Sequence, residues 1–144
     1  MLLGPKAWAN EEILQEVNRN RAENGLSTLQ IHPKLTQAAS KHSQDMAHHD
    51  KLSHQSSDGS SLMDRVKREN YKYRVIAENV AAGQPTPKEV VLAWMNSPGH
   101  RKNILNPGVT HIGSGYVLNQ KSSFRHYWTL VLGAEMSANT PTLR

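Results

Sequence analysis

The sequence predicts an α+β layered domain, and three observations carry that expectation. Helical periodicity recurs ahead of, and between, a few β-rich runs. Two of those runs, "THIGSGYVL" and "FRHYWTLVLGAE", flank a short polar stretch, "NQKSS", as the arms of an antiparallel hairpin do. The chain has 144 residues with no internal repeat and no long linker, which suits one core. The domain is expected over residues 10–136, with an N-terminal extension at 1–9 and a tail at 137–144.

The first helix is expected to follow Asn10 as N-cap, with Glu11 and Glu12 at the positive end of its dipole. Ile13, Leu14 and Val17 form its apolar stripe, and Asn24-Gly25 ends it. Pro33 opens the second helix at its first position, and Leu35, Ala38, Ala39 and Met46 share one face. A short third helix lies near 60–69, capped by Ser60 or Ser61, with Leu62, Met63 and Val66 inward. Thr86-Pro87-Lys88-Glu89 reads as a capping box for the fourth, which buries Val90, Val91 and Trp94. Ser97-Pro98 then breaks that helix and caps a short turn carrying His100 and Arg101. The strands are "YKYRVIAENVAAG" and the two hairpin arms. In the last arm, period two puts His126, Trp128, Leu130 and Leu132 on one face and Tyr127, Thr129 and Val131 on the other, the first being the core side.

Composition excludes several chemistries. There is no cysteine, hence no disulfide, thiolate nucleophile or Cys-based zinc site. No apolar run reaches the length of a membrane span. The opening "MLLGPKAWAN" has too short an apolar stretch for a signal peptide and no cleavage-site pattern. The net charge of +5 would suit an anionic partner, but the basic residues are scattered. One Phe and no RNA-binding aromatic signature weigh against nucleic acid.

Eight histidines make His the carrier of any metal or acid–base chemistry. His54 lies in the polar loop "LSHQSSDG". Glu78 lies among small apolar residues in "AENVAAG", so a buried carboxylate there needs a partner, such as the backbone or Arg101. His100 stands at the helix break, where its ring can project into a cleft, with Arg101 as counter-charge. His42 shares the apolar face of the second helix and is expected to pack at the core edge, away from the cleft. His48 and His49 are expected outside it, because adjacent histidines seldom share one metal.

The ordered set "LSHQSSDG", "AENVAAG", "WMNSPGHRKNIL", "HIGSGY" and "YWTLVLG" resembles the CAP superfamily of cysteine-rich secretory, antigen-five and pathogenesis-related proteins, in its disulfide-free bacterial branch. The resemblance implies a three-layer α-β-α sandwich whose mainly antiparallel sheet is flanked by helices. It also implies a central cleft that in many eukaryotic members holds two histidines and two glutamates able to bind a divalent cation. His54 and Glu78 match half of that set, while Ser97 and Tyr127 stand at the second glutamate and second histidine, and Leu130 at a usual glutamine.

His100 could complete the cleft, and two imidazoles with one carboxylate would make an open site for zinc or a similar cation at His54 and His100, or a metal-free acid–base set. The structural alternative is that Glu78 and His100 bond each other and lock the fourth helix to the sheet. The function implied is a secreted or envelope-associated module that binds a lipid, wall polymer or peptide without turnover. The alternative is a metal-dependent hydrolase using His54, Glu78 and His100.

Overall fold

The computed structural model describes residues 5–137. Its elements run, in chain order, α1 (Pro5–Glu23), β1 (Gln30–Ile31), α2 (Pro33–His49), α3 (Leu62–Arg68), β2 (Tyr73–Ala82), α4 (Pro87–Met95), α5 (Pro98–Ile104), β3 (His111–Leu118) and β4 (His126–Glu135). The sheet order is β1-β3-β4-β2. The hairpin forms as expected, with Gly115 opposite Thr129 in the antiparallel β3–β4 ladder. β2 pairs antiparallel with β4, and the two-residue β1, which the sequence did not signal, pairs parallel with β3.

Helices cover both faces of the sheet. Ile13 and Val17 of α1, Val90, Val91 and Trp94 of α4, and Ile104 of α5 pack with Ile112, Trp128, Leu130 and Leu132. On the other face Leu35, Ala38 and Ala39 of α2 and Val66 of α3 pack with Val131, while Met46 and Ala47 pack with Val80 and Tyr127. The period-two division of β4 is therefore correct, but both faces are core, since Tyr127, Thr129 and Val131 are fully buried. Glycine sets how closely α2 approaches β3. A Cβ at Gly113 would lie 2.2 Å from the backbone of Leu35 and Thr36, and one at Gly115 would lie 2.5 Å from that of Ala39.

Three local expectations are corrected. α1 starts at Pro5 rather than after Asn10, because Pro suits a first turn and buried Ala9 begins the stripe one turn before Ile13. Asn10 instead accepts a hydrogen bond from Ser114 of β3. Thr86 caps α4 by accepting from the Glu89 amide at 3.2 Å, but the Glu89 carboxylate takes the Thr86 hydroxyl at 3.0 Å instead of closing a capping box. The box closes on α3, between Ser61 and Asp64. Met63 is 52% exposed, and Arg65 takes the inward place on α3, since positions 62, 65 and 66 share a helix face.

Candidate functional site

Glu78 sits in the middle of β2, an edge strand, opposite Val131 and so on the face covered by α2 and α3. Its side chain is only 1% exposed. Burial alone would raise its pKa, but hydrogen bonds from His54 and Arg65 and the Arg65 charge outweigh burial and hold it below the ordinary carboxylate range. Arg65, itself buried, donates Nη1 to Oε2 at 2.6 Å and Nη2 to Oε1 at 3.0 Å. The expected partner, Arg101, stands exposed on α5 instead.

The same guanidinium fixes the loop that carries the histidine. Residues 50–61 join α2 to α3 without regular structure. Arg65 Nη2 donates to the His54 carbonyl at 2.6 Å, and His42 Nε2 donates to the Ser53 carbonyl at 2.6 Å. Asp45 accepts from the amide and hydroxyl of Ser57, and Arg68 donates to Asp58 and Ser60. The loop thus turns His54 back toward the sheet, with Nδ1 3.0 Å from Glu78 Oε1. That hydrogen bond raises the His54 pKa. With Nδ1–H donated to a carboxylate, the tautomer is fixed and Nε2 is left as the acceptor, on a side chain 62% exposed.

α5 packs against the same strand, β2. Asn79, whose side chain faces away from Glu78, donates to the His100 carbonyl at 3.1 Å, and Asn103 donates to Asn79 at 2.8 Å and to the Glu78 carbonyl at 3.4 Å. Trp94 of α4 donates to the Val80 carbonyl at 3.1 Å, so helix side chains occupy two carbonyls of the edge strand. The His100 ring is half-buried. Its pKa is lowered first by burial and then by the neighbouring charge of His54, so the two imidazoles share one electrostatic neighbourhood. Among the described residues no hydrogen bond joins the His100 ring to His54 or Glu78.

Ser97 caps α5 by position, without a side-chain hydrogen bond, and Tyr127 is fully buried, donating to Asp50 at 2.7 Å. Neither contributes to the His54–Glu78–Arg65 cluster. Glu78 already has a cation in Arg65, and among the described residues no group of three or more His, Asp or Glu is arranged to hold a metal ion. The donor set therefore does not fit a three-ligand cation site. Nor is any serine or threonine hydroxyl bonded to a ring nitrogen of His54 or His100 among these residues.

His42 is buried as expected, with a pKa lowered by burial, but it is not remote. It lines a cavity of about 250 Å³ behind the loop, together with Asp45, Arg65, Arg68 and Glu69. Asp45, Asp58 and Glu69 around this cavity are each engaged by Ser57, Arg68 or Lys41, and these contacts brace the loop. His48 and His49 are exposed at the end of α2. Arg65 is the site residue the sequence did not disclose. Its position beside Val66 is a weak signal, because Met63 is an equally good inward candidate until α3 docks on the sheet.

Several known proteins are similar to this chain in sequence or in fold. A protein of Bacillus subtilis (strain 168), YkwD, is 48% identical over 107 residues, covering 74% of this chain and 42% of its own. The membrane protein YlbC of the same strain is 33% identical over 125 residues, covering 79% of this chain and 36% of its own. The chain thus spans less than half the length of these two relatives. A solved extracellular protein containing an SCP domain, from Bacillus anthracis, superposes with a TM-score of 0.81 at 27% identity over 94% of this chain and 45% of its own. An outer surface protein of Borrelia burgdorferi shares the fold, with a TM-score of 0.80 at 21% identity over 93% of this chain and all of its own. The CAP model, described as the cysteine-rich secretory protein family, matches residues 14–132. With that match running from α1 to β4 and the three-layer sandwich in place, the chain belongs to the CAP family.

Proposed function

We propose that the domain is a ligand-binding module of the extracellular space or cell envelope, which presents His54 and His100 in an open cleft and does not turn its ligand over. One observation carries this reading: an exposed imidazole is held in a fixed tautomer by a carboxylate that is itself buried and paired with Arg65. Such a ring is preorganised to accept or donate one directed hydrogen bond at Nε2. Orienting it requires ordering a polar loop and burying an ion pair, which a surface without a ligand does not need. The relatives described as extracellular or outer-surface proteins support the location. Among the described residues no serine or threonine hydroxyl is bonded to either ring, so a hydroxyl nucleophile activated by these imidazoles has no support here.

The test is an NMR titration of wild type and His54→Ala with three probes: muropeptides, phosphatidylglycerol vesicles and an unstructured peptide. One probe class is expected to shift resonances around His54 and His100 in wild type only, with the probe recovered intact. Cleavage of a probe that requires zinc and both histidines would overturn the reading in favour of a metal-dependent hydrolase.

A further inference from the structure

Between Glu89 and Glu135 the chain contains no aspartate or glutamate. This carboxylate-free segment, residues 90–134, includes α5, both hairpin arms and the hairpin tip. Its charged side chains are Arg101 and Lys102 on α5 and Lys121 and Arg125 at the tip, and all four are exposed. The two groups lie at opposite ends of one path. The tip is fastened beside the end of β2, where the Gly83 amide donates to the His126 carbonyl at 2.8 Å. From there to Glu78 is five residues of chain, about 17 Å at strand rise. α5 is fixed over that middle stretch by the Asn79–His100 and Asn103–Glu78 contacts. His54 and His100 lie along this stretch, His54 bonded to Glu78 and the His100 carbonyl to Asn79.

Of the two carboxylates near this path, Glu78 is neutralised in a buried ion pair and exposed Asp50 has Lys51 next to it in the chain. Asp50, beside the tip, accepts from the amide and hydroxyl of Ser123 and from Tyr127. Lys51 adds a further exposed cation next to it. A run of separated cations matches a flexible chain of repeated anions rather than one small anion, because each anion met along the path releases its own counterions. The path lacks stacking platforms, since Phe124 is its only exposed aromatic apart from the His54 ring, so a polymer without bases is favoured over nucleic acid.

We infer that the cleft binds a non-nucleic phosphodiester polymer of the polyol-phosphate type, laid from the hairpin tip past His54 and His100 to Arg101 and Lys102. This rests on the cleft reading above and supplies its ligand class.

The test uses end-labelled poly(glycerol phosphate), with fluorescence anisotropy followed as salt rises from low to physiological strength. Wild type should bind at low salt and weaken steeply. Arg101→Gln with Lys102→Gln, and separately Lys121→Gln with Arg125→Gln, should each weaken low-salt binding by about tenfold and reduce the log–log salt slope by roughly 1–2, with unchanged melting temperature. Unaltered affinity in the combined fourfold variant, or salt-independent binding, would overturn the inference. So would single-stranded DNA of equal charge binding as tightly as the polymer. If the polymer fails while a muropeptide still binds through His54, the polyanion inference falls and the cleft reading stands.

Discussion

Replacing Arg65 with Met tests whether the Arg65–Glu78 pair is what holds the site together. The substitution roughly keeps side-chain bulk and removes three charge-assisted hydrogen bonds, two to the Glu78 carboxylate and one to the His54 carbonyl. Both side chains are buried, at 6% and 1% exposure, so the carboxylate left behind has only His54 as a partner. Stranding a buried charge in this way costs about 3–5 kcal/mol, a large share of the roughly 5–15 kcal/mol that stabilises a typical domain. Urea unfolding followed by circular dichroism at pH 7 should show that loss.

The sign of the pH dependence is fixed by the direction of the shift. Wild-type Glu78 titrates below its unfolded value, so its contribution is present above that value and is lost as pH falls through the lower folded one. Without Arg65 the folded pKa rises, so the variant's deficit should shrink toward acid pH as Glu78 protonates. Adding Glu78→Gln should recover part of the loss at pH 7, because no charge is then stranded. A deficit under about 1 kcal/mol, or a double variant no more stable than the single, would refute the reasoning.

In histidine NMR titrations His54 should titrate above, and His100 below, an ordinary imidazole, with His54 moving down in Glu78→Gln; the reverse order would contradict the geometry. The His54–Glu78 contact should stabilise most below the unfolded His value and fade as pH rises through the raised folded one. His42→Leu preserves much of the volume but strands the Ser53 carbonyl, so chemical denaturation should register a loss of about 1–3 kcal/mol rather than the near-neutral change a plain core histidine would give. Gly113→Ala must push α2 off β3 and should cost about 1–3 kcal/mol or more, measured as a fall in melting temperature. Zinc added to the metal-free protein should bind weakly at most, and a calorimetric site of submicromolar affinity that disappears in both His54→Ala and His100→Ala would show that the two imidazoles suffice.

The hairpin and the faces of β4 were legible because period two and a polar turn are local signals that no later packing reverses. The start of α1 was misplaced for a comparable reason. Asn10 looks like a cap in isolation, but the stripe continues back to Ala9, and the side chain of Asn10 is taken by Ser114, a residue far along the chain. His54 and Glu78 were found through motif resemblance, and the carboxylate also through its apolar neighbours. What the sequence could not convey was the partner of that carboxylate. Arg65 lies in a stretch of mixed charge that reads as a solvated helix, and only the docking of α3 on the sheet shows which of its charges turns inward. His100 is carried by α5, a helix where only a turn was expected.

The segment from Asp50 to Ser61 is immobilised without a single covalent cross-link, in a chain that has no thiol with which to make one. Its fastenings are the Arg65 fork, the His42 ring, the Asp45 carboxylate and the Arg68 contacts with Asp58 and Ser60. Folding of this region therefore needs no oxidant or isomerase, and no reductant can undo it. Each fastening can open and close separately, at rates set by hydrogen-bond and ion-pair exchange rather than by sulfur chemistry. Protons and dissolved salt take over as the agents that loosen the segment.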